Sequence, residues 1–179
     1  MRKIVAAFIC LGALVAYAQE IPISKDAREV LPAAAETFEV ELKDIPASKQ
    51  AVLYVTAWIA TPKFLGYAGA MKVYWNGEPL TKLVSRPTVL KLADGRTQPA
   101  LAPSLGWVVP YIDDPDSYAD QKQSPYFLSE EGVNPAVFAF ALPEVFDGRQ
   151  EVSIESSLED PKRVLHVRDI FVRFEDPKE

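Results

Sequence analysis

Cysteine and histidine are nearly missing from this chain. Cys10 and His166 are the only examples among 179 residues. Cys10 lies in an apolar N-terminal stretch that reads as a cleavable leader. The remainder is then cysteine-free, which excludes disulfides and thiolate metal sites. One histidine cannot build an ordinary zinc site, and no Gly-x-Ser-x-Gly elbow stands beside it to complete a nucleophilic triad. His166 therefore reads as a partly exposed strand residue. The eight glycines are scattered, so no Gly-rich phosphate loop exists. Beyond the leader, no segment approaches about 18 consecutive apolar residues, and no membrane-spanning helix is expected. Convincing helical periodicity, internal repeats and low-complexity tracts are also absent.

The leader itself follows a recognisable order. Arg2 and Lys3 form a positive start, Ile4 to Val15 carries no charge, and Ala16-Tyr17-Ala18 places small residues at the −3 and −1 positions. That order predicts a Sec-type signal peptide over residues 1–18 and a periplasmic or secreted product. A lipoprotein would need a small residue before Cys10, where Ile9 stands. Cleavage after Ala18 would leave 161 of the 179 residues, enough for one domain that buries roughly 70% of its unfolded surface. Without Arg2 and Lys3 the 19 basic residues fall to 17 against 25 acidic ones, a net charge of −8. No basic stripe offsets this balance, so nucleic acid is not an expected partner. The acidity fits either solvation or cation binding.

What is present is strand pattern. Residues 19–36, with Pro22 and Pro32, read as a loose lead-in to a single domain over 37–175. Thr37 to Ile45 alternates, with Phe38, Val40 and Leu42 on one face and Glu39, Glu41 and Lys43 on the other. Val52 to Ile59 is apolar on both faces, as a central strand would be. Trp58 there and Trp75 in the next strand, Met71 to Trp75, are expected in the core. Asn76-Gly77 is a hairpin signal because both residues tolerate positive φ. Thr88 to Leu92 leads to Asp94-Gly95, a second such turn. Gly66-Tyr-Ala-Gly69 reads as a tight connection. Residues 96–135, broken by Pro99, Pro103, Pro110, Pro115 and Pro125 among others, read as a long loop, with a short strand at Trp107 to Tyr111. Val137 to Leu142 and Glu151 to Ser157 alternate again. In the last strand, Arg163 to Glu175, Leu165 and Val167 share one phase and Ile170, Val172 and Phe174 the other. The slip predicts a bulge at Arg168-Asp169. About eight short strands with turn punctuation predict an all-β sandwich.

The order of these pieces resembles the galactose-binding-like jelly roll, the fold of many carbohydrate-binding modules. The matching segments are Val52-Leu-Tyr-Val-Thr-Ala-Trp-Ile59, Met71-Lys-Val-Tyr-Trp-Asn-Gly77, Glu151-Val-Ser-Ile154 and Val167-Arg-Asp-Ile-Phe-Val172. The likeness spans roughly residues 38–174 and rests on generic β signals. It implies a jelly-roll sandwich and a structural calcium ion held between an early acidic residue, Glu39 or Glu41, and Asp169 on the last strand. The alternative is that these acids face solvent.

The long loop is the other candidate site. Trp107, Tyr111, Tyr118 and Tyr126 would cover the C–H faces of a sugar, and Asp113, Asp114 and Asp116 would accept hydroxyl protons. Arg86 lies just upstream and would reach the same end. The competing reading makes Trp107 and Tyr126 loop anchors and the acids a solvated turn. Asp113 to Asp120 lacks the glycine and terminal glutamate of an EF-hand loop. Nothing selects a pair of carboxylates for glycoside hydrolysis. The leading expectation is thus an exported, non-catalytic binding module for carbohydrate or another polar extracellular ligand. A scaffold for a protein partner is the rival class, and a small hydrolase or lyase the third.

Overall fold

The computed structural model describes residues 20–61, 69–85, 90–91, 97–98, 101–102, 106–109, 111–113 and 136–177. In chain order the strands are β1 (Glu20–Ser24), β2 (Arg28–Val30), β3 (Ala35–Leu42), β4 (Gln50–Thr61) and β5 (Gly69–Trp75). Five short strands follow: β6 (Glu78–Pro79), β7 (Leu83–Ser85), β8 (Leu90–Lys91), β9 (Thr97–Gln98) and β10 (Leu101–Ala102). The last five are β11 (Gly106–Val109), β12 (Tyr111–Asp113), β13 (Ala136–Ala141), β14 (Gly148–Ser156) and β15 (Val164–Glu175). No helix occurs among the described residues.

Two sheets pack face to face as a β-sandwich. The larger runs β1-β15-β4-β13-β7, with β2 also on β15 and β12 also on β4; the smaller runs β10-β11-β5-β14-β3, with β6 on β5. A separate pair joins β8 and β9. All pairings are antiparallel except β12 with β4. β4 is central, as its two apolar faces predict: β15 lies on one side and β13 on the other. Between the sheets lie Leu53, Val55, Ala57 and Ile59 of β4, Phe138 and Phe140 of β13, and Val73 and Trp75 of β5. Val152 and Ile154 of β14 join them from the second sheet. Each fully buried phenylalanine contributes about 1.5–3 kcal/mol of transfer free energy.

The bulge expected at Arg168-Asp169 is present. Thr56 pairs with Arg168 and Tyr54 with Phe171, so three steps on β15 match two on β4. Asp169 takes φ 45° to accommodate the extra residue. This keeps Leu165 and Val167 before the bulge, and Ile170, Val172 and Phe174 after it, all buried on one face. The Asn76-Gly77 hairpin is also present: Trp75 pairs with Glu78, and the turn residues have φ 50° and 82°. Its side chain ties the turn to β14. Asn76 accepts from the Glu151 N–H at 2.8 Å and donates to Gln150 at 2.8 Å. Gln150 is 1% exposed and donates its own amide to the Phe146 carbonyl, so its burial is compensated.

Three expectations need correction. The segment read as a lead-in forms β1 and β2, both on β15. Pro22 is tolerated because β1 is an edge strand, where an absent N–H costs no ladder bond. Trp107 to Tyr111 is two strands in different sheets: β11 extends the smaller and β12 the larger. Trp58 does not enter the core, because it shares the outward phase of β4 with Tyr54 and is only half-buried. The turn at Asp94-Gly95 and the connection at 66–68 lie outside the described residues.

Candidate functional site

The alternation of β4 sends Tyr54, Thr56 and Trp58 to the outer face of the larger sheet. The bulge in β15 sends His166 and Arg168, then Phe171, Arg173 and Glu175, to the same face. Register sets them side by side: Tyr54 opposite Phe171, Thr56 opposite Arg168, Trp58 opposite His166. Tyr54 and Phe171 stack with centroids 4.8 Å apart and planes 7° apart. Trp58 and His166 stack at 5.1 Å and 10°. Without the extra residue at 169, the two stacks would fall on opposite faces.

Two guanidinium groups lie against these rings. Arg168 is 5.4 Å from the Trp58 ring, and Arg173 is 4.9 Å from Tyr54 and 5.2 Å from Phe171. Arg173 is the more enclosed. It bonds Glu20 of β1 and lies 3.7 Å from Glu175, whose carboxylate also accepts the Tyr54 hydroxyl. Burial, reinforced by that carboxylate, pushes the Tyr54 phenol up to about 12. Arg168 is freer, with a side chain 46% exposed and, among the described residues, the exposed Asp169 as its ionic neighbour at 3.3 Å. Burial lowers the His166 pKa, and Glu29 on β2 opposes that shift. On the adjoining strand Val137 is 49% exposed.

Rings stacked face to face on neighbouring strands turn their edges outward. An aromatic edge carries the positive end of the ring quadrupole, and a guanidinium offers forked N–H donors. Both attract oxygen. The corner formed by Trp58, His166 and Arg168 therefore suits a ligand rich in hydroxyl or carboxylate oxygens. The smaller sheet differs. Its outer face pairs its charges internally: Arg149 with Glu39, and Lys72 with Glu155 at 2.9 Å. Tyr74 also donates to Glu155, whose pKa falls chiefly through the Lys72 bond.

Of the residues singled out in the sequence, Trp107 is 5% exposed. Its indole donates to the Leu80 carbonyl at 3.0 Å and meets Phe140 edge-on at 5.3 Å. Tyr111 and Asp113 belong to β12, whose backbone runs beside Ile59 to Thr61, just past Trp58. Arg86, Asp114, Asp116, Tyr118 and Tyr126 lie outside the described residues. Glu39 and Glu41 are on β3 of the smaller sheet, Glu39 bonded to Arg149 and Glu41 3.9 Å from Lys43. Asp169 is on β15 of the larger sheet. Among the described residues no group of three or more His, Cys, Asp or Glu side chains gathers to hold a metal ion.

The outer ladder of Tyr54, Trp58, His166 and Phe171 was missed. Its signal was present in the same phase slip that predicts the bulge: residues out of phase with the buried set on both β4 and β15 must share the other face. No helix of the described residues is long and apolar enough to cross a membrane. Comparison with family models, with curated proteins and with solved structures finds no match to this chain.

Proposed function

We propose that this chain is an exported, non-catalytic binding module. Its ligand is an oxygen-rich extracellular molecule, in the first instance a carbohydrate, and the Trp58–His166–Arg168 corner receives it. The observation that carries the reading is the pairing of outward ring edges with a half-exposed guanidinium on one sheet face. Residues 1–18 act as the export signal in this reading. A structural calcium ion would have to displace the present cationic neighbours of Glu39 and Asp169, Arg149 and Arg168.

Thermal melts of the protein test this directly. The conditions are neutral polysaccharides, uronic-acid polysaccharides, added calcium, and EDTA. A ligand at a hundred times its dissociation constant stabilises the native state by about 2.7 kcal/mol, several degrees for a domain of this size. The expected result is a shift with a polysaccharide that disappears in Trp58→Ala and Arg168→Gln, each measured against its own unliganded melt. An undiminished shift in both variants moves the site elsewhere. No shift with any polysaccharide removes the carbohydrate reading, and an unchanged melt in EDTA and calcium removes the ion.

A further inference from the structure

We propose that β3 is a receiving edge for an extended, lysine- or arginine-bearing segment of another protein. The segment would add as a further strand to the smaller sheet. Among the described residues β3 pairs with β14 alone and ends its sheet. It runs eight residues, Ala35–Leu42, in unbroken register from Glu155 back to Gly148. A strand of that length presents an edge of roughly 27 Å. Half of its backbone donors and acceptors face away from its one partner.

The other sheet edges are protected. β1 carries Pro22 and a register irregularity between Pro22 and Ser24, and β7 and β10 have three and two residues. Short strands, prolines and bulges are the usual means of closing an edge to foreign strands. β3 has no proline, bulge or short length to close it; its one blunting device is the inward-phase charge of Glu36, and Ala35, Glu36 and Thr37 are consecutively exposed.

Charge selects the occupant. Thr37, Glu39 and Glu41 share the outward phase, and Glu151 of β14 lies directly opposite Glu39. Glu36 has the inward phase but stays exposed. Antiparallel pairing of two β3 strands would set glutamates against glutamates, and like charges directly opposite are destabilising. A second copy of this chain is therefore rejected, as is an acidic segment. A segment with cations at alternate positions meets Glu39 and Glu41, while its intervening apolar residues lie beside half-buried Phe38. The present neighbours, Arg149 and Lys43, are in exposed pairs. Such pairs are worth little and exchange readily. This surface is on the sheet opposite the Trp58 corner, so the proposal stands independently of the carbohydrate reading.

The test uses the full chain and fluorescein-labelled peptides that alternate lysine with valine over the length of β3. The controls alternate glutamate with valine, or carry N-methyl groups on alternate amides of the lysine peptide. The expected result is saturable anisotropy with the lysine peptide, weakened at least about ten-fold by N-methylation on one set of amides. The double variant Glu39→Lys, Glu41→Lys, with its fold checked by its melt, is expected to reverse the preference toward the glutamate peptide. Equal binding of methylated and unmethylated peptides overturns strand addition. Equal binding of lysine and glutamate peptides overturns the charge rule. No binding at about 1 mM peptide overturns the proposal. A dimer of the chain alone that the lysine substitutions abolish would assign the edge to a second copy instead.

Discussion

Gly77 and Gly106 both hold positive φ, at 82° and 100°, but for different reasons. A Cβ at position 77 would meet nothing, whereas one at 106 would collide with the Met71 carbonyl of the neighbouring strand. Gly77→Ala should therefore cost about 1 kcal/mol from backbone strain alone. Gly106→Ala adds displacement of β11 from β5 and should cost at least twice as much. Urea unfolding of both variants makes the comparison. His166 offers a second measurement. Burial favours its neutral form, so the unfolded chain takes up the proton first as pH falls. The stabilisation is full above the ordinary histidine pKa of about 6.5 and is lost as pH drops through the lower folded value. The slope from one group cannot exceed about 1.4 kcal/mol per pH unit, and partial exposure keeps it below that. His166→Phe should flatten the difference in melting temperature between pH 8 and pH 5. The melt of each protein across that range reads it out.

At the scale of the element, β15 gathers most of what the sequence made legible. Its phase slip predicts the bulge, and the bulge holds Asp169 at φ 45°. Asp169→Asn should be neutral, because both residues accept the left-handed region. Asp169→Val should cost about 1–2 kcal/mol. Deletion of Asp169 should abolish cooperative folding, because it turns either His166 and Arg168, or Phe171 and Arg173, inward. Circular dichroism melts distinguish the three. Strands with clean alternation, β3, β13 and β14, were readable because one face is buried and the other wet. β1 and β2 were not. Each is short, Pro22 weakens the strand signal, and both exist by pairing with β15, a partner more than a hundred residues away in sequence. The split between β11 and β12 was hidden for a related reason, since alternation says nothing about which sheet a strand joins. Trp58 was misplaced because β4 is apolar on both faces, and only the bulge-corrected register puts its ring against His166. The candidate corner thus draws on two strands whose pairing no local pattern states.

For the whole molecule, the two outer faces divide the work that the two proposals assign. One carries ring edges with guanidinium groups, the other internally paired charge and an open strand edge. Both rest on a scaffold whose order in space departs from its order in sequence. β15 lies between β4 on one side and β1 and β2 on the other, deep within the larger sheet. Until it arrives, β1 and β2 have no strand partner among the described residues and the core lacks Leu165, Val167, Ile170, Val172 and Phe174. An N-terminal fragment emerging from a ribosome is therefore left with an unsealed half-sandwich that cannot close early. Under the proposed export, that delay would keep the polypeptide pliable during passage through a narrow channel, with closure waiting until β15 has followed the strands it seals.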